Sequence, residues 1–138
     1  MNRFHLLEHT ADTGIEALAD TREGLVGQAG LGLRWLLYGH TEAASSHSEE
    51  ITAEGNSAEE TLVNWLNELL FVMTEKQFIP AYFAVRSFTD QHIVATVTGD
   101  KAAPGKRRML REVKAATYHQ ARVVNEKARW KAVVYIDL

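Results

Sequence analysis

The sequence predicts an α+β fold: two helices packed on a largely antiparallel β-sheet, in a single layered domain over residues 1–138. Two stretches space their apolar residues as helices do, Leu25 to Leu37 and Leu62 to Met73. Elsewhere apolar and polar residues alternate in short runs, and two of the connections between runs are brief and polar, as antiparallel neighbours require. Helices of one-sided apolarity and strands of alternating apolarity bury their faces best against each other. A chain of 138 residues with 46% hydrophobic and 24% charged side chains is long and apolar enough to build one real core.

Residues 2–7 read as a short strand with Phe4 and Leu6 on one face. A polar break follows, His9-Thr10-Ala11-Asp12-Thr13-Gly14, and Ile15, Ala17 and Ala19 then mark a second strand. Asp20 stands three residues before Glu23, the spacing of a capping box, and opens the first helix. That helix contains Gly24, Gly27, Gly30 and Gly32, each costing about 1 kcal/mol against Ala in a helix interior. It persists only if its apolar face is packed, and the glycines permit close contact with the sheet. A polar loop over 38–48, holding His40 and His47, leads to an edge strand at 49–55 built on Ile51 and Ala53. Ser57 and Glu60 form a second capping box before the second helix. Beyond Pro80, runs at 82–88 and 92–98 form a hairpin through Thr89-Asp90-Gln91. A loop over 99–111 precedes extended runs at 112–124 and 130–138, joined by a polar turn at 125–129. In the last strand Ala132, Val134 and Ile136 share one face, and Lys131, Val133, Tyr135 and Asp137 the other.

Composition narrows the function. There is no cysteine, so disulfides, thiolate metal sites and cysteine nucleophiles are excluded. A net charge of −3 means that any RNA contact must come from a local patch or through a partner. The longest strongly apolar run, Leu69 to Met73, is far too short to span a bilayer, and the N-terminus lacks the pattern of a signal peptide. A cytoplasmic protein without membrane contact is the simplest expectation. No glycine-rich phosphate loop precedes a helix and no G-x-S-x-G elbow is present, which argues against a self-sufficient nucleotide-hydrolysing or acyl-transfer enzyme.

Three constellations of reactive side chains remain. Asp12 in the polar break, Asp137 at a strand end and the α-carboxylate of Leu138 could bring three anionic oxygen groups together. Oxygen-only ligation suits Ca²⁺, Mg²⁺ or Mn²⁺ rather than Zn²⁺, and a cation would relieve their mutual repulsion. Read from spacing alone, this break is also an ordinary turn. Six histidines are the competing set, but His5 and His9 straddle a strand and a turn, and scattered histidines are ordinarily structural. The third set is the basic run Lys101, Lys106, Arg107, Arg108, Arg111 and Lys114, which reads as a solvated face or as a contact for phosphate or an acidic partner. Lys114 differs from the rest in being expected within a strand. On the second helix, Asn64 and Glu68 stand at i and i+4, where they could brace a neighbouring loop.

Four blocks resemble the archease family: His9-Thr10-Ala11-Asp12-Thr13-Gly14-Ile15, the segment from Leu62 through Asn64-Trp65-Leu66-Asn67-Glu68 to Leu70, the segment from Glu112 through Lys114 to His119, and Ile136-Asp137-Leu138. They occur in family order across the chain. The resemblance implies a non-enzymatic accessory protein of an RtcB-type RNA ligase in tRNA splicing and RNA repair. Such a protein promotes GTP-dependent guanylylation of the ligase and its repeated turnover, and meets GTP and tRNA only through the ligase. It also implies a divalent metal ion, commonly calcium in structures, at Asp12, Asp137 and Leu138. Glu8, where relatives commonly carry Asp, and His9, Asp20 and Lys114 are the further positions it singles out. The alternative is a non-catalytic chaperone or protein-interaction module whose acids are purely structural. A lone metal-dependent hydrolase fits least, because no nucleophile or general base stands beside the acids.

Overall fold

A computed structural model describes residues 2–8, 13–101 and 109–138, with the Glu8 side chain outside the described set. The elements are β1 (Arg3–Glu8), β2 (Thr13–Ala19), α1 (Arg22–Tyr38), β3 (His47–Glu54), α2 (Ala58–Lys76), β4 (Phe78–Phe88), β5 (His92–Lys101), β6 (Ala115–Glu126) and β7 (Arg129–Asp137). The α+β class and both helices are as the sequence predicts. The strands, however, divide between two antiparallel sheets: a four-stranded one ordered β1-β2-β7-β6 and a three-stranded one ordered β3-β5-β4.

The division follows from the helices. α1 carries the chain from β2 in the first sheet to β3 in the second. It packs on β2 with one face and on β4 with another, while α2 packs on β6 and β3. The helices therefore do not cover one sheet; they lie between two. Leu25, Ala29, Gly32 and Leu36 form one buried row of α1, and Val26, Gly30, Leu33 and Leu37 a second. A helix with two buried faces needs small residues to let both sheets approach. A Cβ at Gly32 would lie 2.7 Å from Ile15 Cγ2 on β2, and one at Gly30 would lie 2.6 Å from Phe83 Cε1 on β4. These approaches supply the reason for two of the costly helix glycines.

Local chemistry corrects several boundaries. The cap of α1 is Thr21, whose Oγ1 accepts from Gly24 N at 3.1 Å; Asp20 lies one residue outside, its backbone N–H donating to Asn2 Oδ1 at 3.0 Å. Thr21 takes the role because its hydroxyl reaches the third helical N–H, the one an N-cap satisfies. At the other end Gly39 adopts φ 66°, a conformation suited to glycine, and its N–H closes on Trp35 O at 2.7 Å. Ser57 caps α2 as expected, and Glu60 reaches back to the backbone N–H of Asn56. β4 begins at Phe78 and runs through Pro80, because it is an edge strand whose register shifts between Pro80 and Tyr82, so the missing N–H breaks no ladder there. β6 begins at Ala115, which leaves Lys114 just before the strand and not within it.

The cores of both interfaces merge into one cluster around Trp65, Leu66, Leu69 and Leu33, all fully buried. Trp65 donates its indole N–H to Ile51 O at 3.0 Å, so the largest buried ring is also satisfied. At the far end of α2, Glu49 on β3 accepts from Lys76 Nζ at 2.8 Å and contacts His47 Nε2 at 2.9 Å. The Lys76 hydrogen bond holds the Glu49 carboxyl below its ordinary value against partial burial, with His47 adding to the effect. A depressed carboxylate stabilises the fold above its unfolded value, about 4.3, and loses that contribution as pH falls through the folded one. Glu49→Gln should therefore cost about 0.5–1 kcal/mol at pH 7, held low because Lys76 is half exposed. Urea midpoints of the two proteins should differ at pH 7 and converge at pH 3.

Candidate functional site

One end of the four-stranded sheet holds two of the sequence-predicted positions, Glu8 and Asp137, at the ends of β1 and β7. β1 ends at Glu8, paired with Thr13 at the start of β2, and Thr13 pairs with Ile136 near the end of β7. Asp137 follows, paired with Ala115 at the start of β6. The backbone N–H of Lys114 donates to the Asp137 carbonyl at 2.9 Å, extending this ladder by one residue. Antiparallel pairing thus sets two strand starts and two strand ends side by side, with neighbouring strands about 4.8 Å apart.

Two polar side chains fix this arrangement. Asn67, in the middle of α2, donates Nδ2 to Ala116 O at 3.0 Å and accepts from Ala116 N at 2.8 Å through Oδ1. A single side chain amide thereby replaces both backbone partners that a neighbouring strand would give this residue. Thr13, 4% exposed, donates Oγ1 to Leu7 O at 3.2 Å and braces the β1–β2 ends. Neither residue stands among the candidates read from sequence. Asn67 lies inside one of the four blocks, but its face of the helix could not be told from that of Asn64, which instead donates to Glu54 O.

Asp137 is exposed, and Leu138 beside it is 36% exposed. Asp12 and His9 lie outside the described residues, as do Lys106, Arg107 and Arg108; Glu8 is described in its backbone alone. Asp20 follows the last residue of β2, at the end of that strand opposite Thr13, so the fold does not bring it to Asp137. Lys114 is brought there, through its backbone. Among the described residues no three His, Asp or Glu side chains converge in a way that could hold a metal ion. No described helix is long and apolar enough to cross a membrane.

The four sequence blocks therefore converge in space: the first through Thr13, the second through Asn67, the third through Lys114 and Ala116, the fourth through Ile136 and Asp137. The comparisons with known proteins agree in extent. The profile of the Archease protein family (MTH1598/TM1083) matches residues 4–138. The chain is 31% identical to protein archease of Methanopyrus kandleri, covering 96% of each chain. It is 27% identical to protein archease of Methanosarcina barkeri, over 99% of this chain and 96% of that one. The solution structure of Methanobacterium thermoautotrophicum protein 1598 superposes with a TM-score of 0.74 at 30% identity, covering 98% of each chain. The fold is shared as well with a crystal structure described as an archease, possible chaperone, from Thermotoga maritima, with a TM-score of 0.61 at 18% identity over 96% of this chain and 94% of that one. With a profile matched over nearly its whole length, the chain belongs to the archease family.

Proposed function

We propose that this chain is an accessory protein of an RtcB-type RNA ligase, promoting the ligase's GTP-dependent guanylylation and its repeated turnover without sealing RNA itself. The observation that carries the reading is the convergence of all four blocks on one sheet end, although they are spread over the whole sequence. A structural role alone would not require an acid to stand exposed at that point, as Asp137 does.

A divalent ion would be the natural complement of this site, with Asp12, Asp137 and Leu138 the residues to hold it. The donor chemistry fits: the ligands are hard oxygens, and no described histidine stands with Asp137 in a group that could bind a softer metal. When bound, such an ion supplies positive charge where a phosphoryl group is transferred. The chain's own contribution is positional. The Lys114–Asp137 hydrogen bond and the Asn67 clamp hold the ends of β6 and β7 in register, and Thr13 holds the start of β2.

Guanylylation of a limiting RtcB-type ligase with GTP and Mn²⁺ tests the reading directly. Addition of this protein should accelerate labelling of the ligase severalfold or more, and Asp137→Ala or Asp12→Ala should abolish the acceleration with the melting temperature unchanged. Full stimulation by both variants would remove the metal site from the account. Variants that melt early yet stimulate normally would favour the other reading, a chaperone with structural acids, which the description of the Thermotoga structure raises.

A further inference from the structure

Two open antiparallel sheets leave outer edges, and the two helices treat them differently. Polar side chains of α2 cover β6 and β3. On β6, Asn67 bonds both backbone groups of Ala116 and Glu59 accepts from Val123 N at 3.0 Å. On β3, Ile51 O and Glu54 O accept from Trp65 and Asn64. α1 reaches β4 only near its start, where Arg34 Nη1 donates to Pro80 O at 3.0 Å. Among the described residues, no further hydrogen bond joins α1 to β4. Instead Ala81 through Arg86 all border one groove of about 550 Å³, whose other wall is α1 at Glu23, Gly27 and Leu31. Successive residues of a strand face opposite ways, so such a run borders one groove only where the groove follows the strand's edge. β4 is the edge strand of its sheet, and the groove therefore faces its unpaired N–H and C=O groups.

This edge is unguarded. Sheet edges are ordinarily blunted by charge or proline against unwanted strands. The middle of this one, Tyr82-Phe83-Ala84-Val85, carries neither, and Tyr82 is 63% exposed. Across the groove stands Gly27. Unlike Gly30 and Gly32 it is not demanded by packing, since a Cβ there would meet Phe83 Cβ at 3.5 Å, an ordinary contact. The helix nevertheless bears a cost of about 1 kcal/mol against alanine at that position, and the missing side chain keeps the groove clear. α1 runs antiparallel to β4, because Arg22 bonds Asp90 just past the end of β4 while Arg34 bonds Pro80 near its start. Glu23 therefore lies toward the Arg86 end. It is partly buried and has no partner among the described residues, whereas Arg86 is held by Glu50 and Thr96. The charge left open in the groove is negative.

We propose that this groove binds a short extended peptide segment of a partner protein, which joins β3-β5-β4 as a fourth strand and sets a basic residue against Glu23. A polypeptide backbone repeats donors and acceptors at the spacing that a strand edge presents, and the open carboxylate disfavours a phosphate chain. The register of β4 shifts at Ala81 and at Arg86, which limits the regular stretch to Tyr82–Val85 and the added ladder to about four residues. Antiparallel addition puts the first residue of the peptide beside Arg86 and Glu23. Its inward side chains then lie with Phe83 and Val85, which pack on the core from the same face of β4. A second copy, its β4 matched antiparallel over these same residues, would bring Ala81 and Tyr82 to Glu23 and leave the carboxylate unpaired. The inference does not rest on the ligase reading, since Asp137 lies on the other sheet.

The test is amide NMR of the isotope-labelled full chain with the acetylated peptide Lys-Val-Thr-Val-Thr-Val. Shifts should concentrate at Tyr82–Val85 and saturate with a Kd of about 0.1–1 mM. Methylating the peptide nitrogens at every second residue should abolish binding in one phase and spare it in the other, because alternate residues pair toward opposite edges. Glu23→Gln should weaken binding about threefold, as expected of one partly exposed ion pair. A peptide led by glutamate should bind Glu23→Lys more tightly than the parent chain. Gly27→Leu should abolish binding while the melting temperature holds or rises, since leucine is the better helix former. Absence of shifts at Tyr82–Val85 with about 1 mM peptide would overturn the proposal, as would equal binding of the two methylated peptides. Shifts of the same amides on concentrating the chain alone would overturn it in favour of a second copy.

Discussion

Asn67→Leu should destabilise the protein by about 2–4 kcal/mol, because it strands both the N–H and the C=O of Ala116 in a partly buried position. Leucine is a good helix former and about the size of asparagine, so α2 itself should not suffer. The loss belongs to the junction with β6. Asn67→Asp separates the two bonds: its oxygen still accepts from Ala116 N, while the donor to Ala116 O is gone, and about half the penalty should remain. Urea unfolding measures the stability, and amide exchange at Ala116 and Lys114 shows where it is lost. Because Lys114 N–H closes on Asp137 O one residue away, exchange at both amides should accelerate together in Asn67→Leu. Stimulation of the ligase should fall further than the stability does, since the clamp aligns the strand end that carries Asp137. Unchanged exchange at Lys114 would show that α2 does not govern the acidic end.

What the sequence discloses and what it hides follow the range of the forces involved. Local signals were readable: the Ser57–Glu60 box, the Thr89–Gln91 hairpin, and the inward face of β7, whose Ala132, Val134 and Ile136 are all at most 1% exposed. Each of these depends on residues within a few positions of one another. The separation into two sheets was not readable, since alternation reports that a strand has a buried side but not which sheet it joins. The same limit moved the start of α1. Asp20 and Thr21 are both good caps, and the choice between them rests on the third helical N–H, which Thr21 reaches. At the site, Asp137 and Lys114 were legible as residue types, but their meeting depends on pairing β6 with β7, and the role of Asn67 on a helix–strand contact 49 residues apart in sequence.

Gly32→Ala should destabilise the fold even though alanine is the better helix residue by about 1 kcal/mol. The new Cβ would lie 2.7 Å from Ile15 Cγ2, with Cδ1 and Cγ1 of the same side chain at 3.3 Å. Ile15 cannot swing aside: it is β-branched, 1% exposed, and fixed on a strand hydrogen-bonded on both sides. The helix and sheet must therefore separate, at about 2–3 kcal/mol of overpacking and lost contact, for a net loss of about 1–2 kcal/mol. Gly30→Ala makes an equally short approach, 2.6 Å, but to the rim of the Phe83 ring, which is only partly buried and borders a groove lined by Tyr82, Val85 and Leu31. That ring can tilt, so the cost there should be offset by the gain in helix propensity and the variant should stay within about 0.5 kcal/mol of the parent. A double-mutant cycle of Gly32→Ala with Ile15→Ala isolates the cause. Ile15→Ala alone costs about 2–4 kcal/mol, but it opens the space that the alanine at position 32 needs. The pair should be no less stable than Ile15→Ala by itself. Strict additivity would show instead that the strain in Gly32→Ala does not come from Ile15, and the two-faced packing of α1 would lose its explanation.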